Sequence, residues 1–73
     1  MNAERRKKLE RAIGLISEAQ SIVNDIQADE QSVRDNLPEE GERAERQDEI
    51  LGSLEDADDS LTNAAAQIEE AMA

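Results

Sequence analysis

Apolar residues recur along this chain in alternating steps of three and four. From residue 9 to residue 37, Leu9, Ala12, Ile16, Ala19, Val23, Ile26, Val33 and Leu37 keep that rhythm, with Glu30 the one interruption. From residue 50 to residue 71, Ile50, Leu54, Ala57, Leu61, Ala64, Ile68 and Ala71 repeat it. Such spacing returns each side chain to one stripe of an α-helix, and over several heptads it marks a coiled-coil seam. Between the two runs lies the breaker cluster Asp35-Asn36-Leu37-Pro38-Glu39-Glu40-Gly41, which holds the sole proline. Proline pushes its preceding neighbour out of helical conformation, so the first helix should stop near Asn36. The pattern predicts one all-α domain: a helix over about 3–36, a loop over about 37–41 and a helix over about 42–71, folded as an antiparallel, coiled-coil-like two-helix hairpin.

A chain that turns back near residue 40 brings together residues whose numbers total about 80. Ile26 then meets Leu54, Val23 meets Ala57, Ala19 meets Leu61, Ile16 meets Ala64, Ala12 meets Ile68 and Leu9 meets Ala71. In all of these pairs but Ile26 with Leu54 one member is alanine, so large meets small, as closely interdigitated helices require. These twelve residues form the expected hairpin seam. Ile13, Leu15 and Ile22 on the first helix, with Leu51, Ala65 and Met72 on the second, lie beside it. A lone hairpin leaves such flanks in water, and they are the expected contacts of a dimer that closes into a four-helix bundle. Length points the same way, because 73 residues supply only a thin core. With no cysteine for a disulfide and no histidine or cysteine for a structural zinc, self-association is the remaining way to reinforce it.

Composition removes most chemistry. Histidine, cysteine and tyrosine are all absent, and these supply most groups whose pKa can be brought near neutrality beside a nucleophile. Ser17, Ser21, Ser53 and Ser60 fall on predicted helices with no base nearby except carboxylates, so no catalytic residue is assigned and no enzyme is expected. The cluster Glu55, Asp56, Asp58 and Asp59 lacks the spacing of a calcium-binding loop. Diiron bundles use Glu-x-x-His pairs, which this chain cannot form. No metal or cofactor is expected. Glu30 reads as a partly exposed seam end, as a partner for Arg34 one turn on, or as a polar residue that fixes register.

Charge changes the picture further. Nineteen acidic and eight basic residues give a net charge of −11, unevenly spread. Residues 1 to 11 hold five of the basic groups against Glu4 and Glu10, a net of +3, which leaves −14 on residues 12 to 73. Such a surface attracts basic partners and repels nucleic acid. Direct nucleic-acid binding is disfavoured too by the lack of any aromatic residue to stack on a base. The candidate partner surface comprises Asp25, Asp29, Glu55, Asp56, Asp58 and Asp59. At the open end, the basic cluster of the first helix should form an ion-pair network with Glu69 and Glu70. No run approaches the roughly 18 apolar residues of a membrane span, and the basic start precedes no signal-like apolar stretch. A soluble intracellular protein without membrane contact is therefore expected.

The opening Glu4-Arg5-Arg6-Lys7-Lys8-Leu9, the central Asp29-Glu30-Gln31, the turn Asp35-Asn36-Leu37-Pro38-Glu39 and the closing Ala/Ile/Glu helix together resemble a family of small acidic proteins encoded in phages and prophages of Gram-positive bacteria. The resemblance spans nearly the whole chain, and the turn is its most specific part. It implies a phage-related accessory role in the cytoplasm of a bacterial host cell. Combined with the residue-level reading, the expected function is that of a self-associating protein-interaction module whose acidic helical face or loop contacts another, basic, protein. The alternative is an acidic mimic of nucleic acid that inhibits a host defence or DNA-binding protein.

Overall fold

The computed structural model describes all 73 residues as two helices, α1 (Ala3–Asp35) and α2 (Glu42–Met72), packed side by side as an all-α hairpin. It measures 55 × 16 × 12 Å, with a radius of gyration of 16.7 Å against about 11 Å for a globular chain of this length. The molecule is a rod two helices wide.

Local signals account for the ends. Asn2 caps α1 by accepting a 2.8 Å hydrogen bond from the Arg5 backbone N–H, which satisfies one of the donors that a helix start leaves unpaired. α1 stops at Asp35, just before Asn36, whose side chain donates back to the Ser32 carbonyl at 2.9 Å. Arg34 then holds the turn: its guanidinium donates to the Pro38 and Glu39 carbonyls and pairs with Asp48 of α2 at 2.7 Å. Gly41 precedes α2 with φ 125° and ψ 168°, a backbone region open almost only to glycine.

The turn also sorts charge. Arg34 lies in the last turn of α1, and Glu42 and Glu45 lie in the first turn of α2, where each complements the helix dipole. The open end does the reverse. There α1 begins with the basic cluster and α2 closes on Glu69 and Glu70 with no basic residue in its last turn. The ion-pair network expected between these termini does not form, and Arg34 with Asp48 is the molecule's one ion pair. Long exposed side chains gain too little from pairing to offset their lost freedom.

Cross-helix hydrogen bonds report the register. Gln20 reaches Asp58 and Thr62, Arg34 reaches Asp48, and Gln47 reaches Glu30, pairs whose numbers total between 77 and 82. The fold-back therefore centres near residue 40. The helices are rotated, however, relative to the expected seam. Each buries two rows: Leu9, Ile16, Val23, Glu30 and Leu37 with Ile13, Gln20, Gln27 and Arg34 on α1, and Gln47, Leu54, Leu61 and Ile68 with Ala44, Leu51, Asp58, Ala65 and Met72 on α2. Only Ala44 and Gln47 are fully buried.

Of the twelve expected seam residues, Leu9, Ala12, Ile16, Ala19, Val23, Leu54, Leu61, Ala64 and Ile68 are half-buried. Ile26, Ala57 and Ala71 are exposed, so they lie outside the buried seam in which they were expected. The cause is the width of the apolar stripes, which exceeds what one neighbouring helix can cover. The seam takes one edge of each stripe together with an adjacent polar row that can hydrogen-bond across it.

The glycines give opposing expectations. A Cβ at Gly14 or Gly52 would meet nothing within 4 Å, so Ala at either helical site should stabilise by about 0.4–1 kcal/mol. Gly41→Ala has the same open space but the wrong backbone, and should cost about 1–3 kcal/mol. Urea unfolding at one fixed protein concentration checks both signs, and a neutral Gly41→Ala would show that the turn can rearrange.

Candidate functional site

The two sides of the hairpin differ in chemistry. On one side the seam is closed by polar bonds: Gln20 Nε2 donates to Thr62 Oγ1 at 2.8 Å and to Asp58 Oδ1 at 3.4 Å, and Arg34 Nε donates to Asp48 Oδ1 at 2.7 Å. Gln31, Arg34, Asp48 and Leu51 line one cleft on that side near the loop. Val33, Leu37, Arg43, Arg46 and Gln47 line a cleft on the other side. Val33 therefore projects on the flank opposite the polar bonds. Seven-residue spacing places Ala12, Ala19 and Ile26 in the same row of α1. By the same spacing Ile50, Ala57, Ala64 and Ala71 share a row with Arg43 on α2.

This second side is a long apolar face. Leu15 and Ile22 form its outer border on α1, 54% and 61% exposed, with Ile26 at 43%, Val33 at 47% and Ile50 at 39%. Charge avoids it. From Gln47 to Ala71 the face-forming positions of α2, which include Ser53, Ser60 and Gln67, hold no charged residue. Of the molecule's 19 acidic residues, Asp29 and Glu30 fall on this side, Glu42 lines its cleft near the loop and Glu49 borders Ile50 and Ser53. Most of the other carboxylates lie on the polar side, the outer edges and the loop, which leaves the rod with one strongly acidic surface and one that carries fewer charges, Arg43 and Arg46 among them.

The expected dimer contacts separate accordingly. Leu15 and Ile22 are on the exposed face, whereas Ile13, Leu51, Ala65 and Met72 are half-buried within the hairpin seam. The rotation that exposes Ile26 and Ala57 is what draws these four inward. Within the candidate partner surface, Asp25, Asp29, Glu55, Asp56 and Asp59 are exposed. Asp58 is half-buried and accepts from Gln20, so it belongs to the seam. Asp29 sits at the rim of the apolar face. No group of three or more carboxylates is placed to hold a metal ion, and neither helix is long and apolar enough to cross a membrane.

Glu30 has a partner that its sequence position did not suggest. Gln47, 7% exposed, donates through Nε2 both to the Glu30 backbone carbonyl at 2.9 Å and to the Glu30 carboxylate. Arg34, the partner weighed for Glu30, is engaged by Asp48 and the turn instead. Sequence reasoning passed over Gln20, Gln27 and Gln47, and the place of Arg34 in the seam. The signal was present for Gln20, Gln27 and Arg34, since they repeat every seven residues beside the apolar stripe. The chain matches no protein-family model, no curated protein and no solved structure.

Gln47→Leu should cost about 1–3 kcal/mol, because it takes from the half-buried Glu30 carboxylate its only side-chain donor. Replacing both, as Glu30→Leu with Gln47→Leu, should recover that loss or exceed it, since no stranded polar group is left. Urea unfolding of the two variants decides it. Equal destabilisation in both would show that the pair contributes shape alone.

Proposed function

We propose that this chain is a non-enzymatic, self-associating protein-interaction module, a phage-related accessory protein whose acidic surface engages another, basic, protein. The observation that carries the reading is the segregation of charge. A rod of net charge −11 that keeps most of its acidic residues off one side has one surface fitted for apolar association and another for electrostatic attraction. The apolar side serves self-association, and the carboxylates of Asp25, Glu55, Asp56 and Asp59 remain in water to steer a cationic partner. No protein side chain within the hairpin neutralises these carboxylates, which supports an outward role for them.

Nucleic-acid mimicry is the second reading, favoured by one feature: exposed acids recur along much of a 55 Å rod. Both readings involve a basic partner, and they differ in which surface of that partner is occupied.

Capture on immobilised full-length chain tests them. A partner of the proposed kind is retained at low salt, and Asp56→Lys with Asp59→Lys slows its association about tenfold at low ionic strength, with the difference fading toward 1 M salt. Displacement of that partner by duplex DNA would assign mimicry. Binding indifferent both to salt and to these substitutions would overturn the acidic-surface reading.

A further inference from the structure

We propose that a second copy of this chain docks head to tail on the apolar face, so that α1 packs antiparallel on α1 and α2 on α2 about a twofold axis perpendicular to the rod. The inference rests on the self-association reading and adds to it the face, the orientation and the register.

Size is the first argument. The face runs from Ala12 to Val33 on α1 and from Ile50 to Ala71 on α2, about 32 Å of each helix, so both helices can be covered along it by one copy. Leu15, Ile22, Ile26, Val33 and Ile50 stay largely in water until something covers them, and within the hairpin no large side chain is fully buried. The occupant must also tolerate approach to a molecule of charge −11. A copy meeting it through the same side presents few of the carboxylates and brings Arg43 and Arg46 with it, whereas contact through the acidic side sets carboxylates against carboxylates.

Shape selects the orientation. The face tapers: at the open end its rows carry Ala12, Ala19, Ala64 and Ala71, and at the loop end they carry Ile26, Val33 and Ile50. Head-to-tail packing lays the bulky end of one copy on the slim end of the other. With the axis beside Ala19, Ala12 meets Ile26 of the second copy and Leu15 meets Ile22 or Val23 of the second copy. With the axis beside Leu61, Ile50 meets Ala71 of the second copy and Ala57 meets Ala64 of the second copy. Ala19 and Leu61 stand at the same height of the rod, because their numbers total 80, within the span set by the cross-helix hydrogen bonds. One axis therefore serves both helices. The same arrangement brings Lys8 beside Asp29 of the second copy, pairing the rim charges of the face. Packing with both open ends together would instead crowd Ile26 against Leu54 of the second copy.

The chain has no cysteine, so single-cysteine variants of the full chain are clean probes. Sedimentation equilibrium of the unaltered protein should give twice 8.1 kDa. Ala19→Cys and Ser60→Cys should each form a disulfide-linked dimer under mild oxidation, since both lie on the face close to the axis, while Asp56→Cys on the outer edge stays unlinked. Ile22→Glu, at a site the hairpin leaves exposed, should weaken self-association at least tenfold. A dimer in which a mixture of Ala19→Cys and Ser60→Cys chains links to each other faster than either links to itself would place α1 on α2, and would overturn the head-to-tail packing while self-association stands. A dimer indifferent to Ile22→Glu would remove the face. An 8.1 kDa species at high micromolar concentration would sink both the docking and the self-association reading.

Discussion

Two helices laid side by side shield each other along a single seam, and in this chain the apolar surface runs well past it. Each helix carries leucines, isoleucines and alanines over an arc wider than a neighbour can cover. The hairpin meets that constraint by rotating both helices, so that one edge of each stripe and a row of amides, carboxylates and one guanidinium share the seam. Hydrogen bonds from Gln20, Arg34 and Gln47 satisfy the polar members. The remainder of each stripe faces outward on a common side.

The polar row limits how the hairpin can slide. A purely aliphatic seam of this period could slip by a heptad at small cost, since one apolar layer resembles the next. Here a slip would separate Arg34 from Asp48 and from the carbonyls of the turn, and Gln47 from Glu30. Polar groups in a seam are poor sources of net stability and good sources of register. The short turn reinforces them, because Pro38 and Gly41 fix its backbone and Arg34 ties its carbonyls to α1.

Element type, the place of the turn and the mirrored numbering were legible in the sequence because each rests on a local signal: heptad spacing, Asn36 before Pro38, and the fold-back near residue 40. The helical phase was not. Reading the centre of the apolar stripe as the hairpin seam placed Ile26, Ala57 and Ala71 inward and Ile13, Leu51, Ala65 and Met72 outward. A stripe centre marks the direction of greatest apolar surface, and which partner takes that direction is a property of the whole assembly. The heptad row of Gln20, Gln27 and Arg34 was the overlooked clue, since polar residues at that spacing beside an apolar stripe can close one side of a seam. Asp58 was misread for a related reason: four neighbouring acids look alike in sequence, and only helical position separates the one that accepts from Gln20.

Opposite placement of charge at the two ends of the rod bears on how the molecule opens. At the loop end the dipole-compatible residues Arg34, Glu42 and Glu45 meet a tied-down turn. At the open end, cations crowd the start of α1 and carboxylates the finish of α2. Local unfolding should therefore begin as fraying of the termini and travel toward the turn, leaving amide protons near Arg34 and Gln47 the slowest to exchange. The first structure regained on refolding would be that same short-range closure, which makes the hairpin a fast folder with a built-in direction.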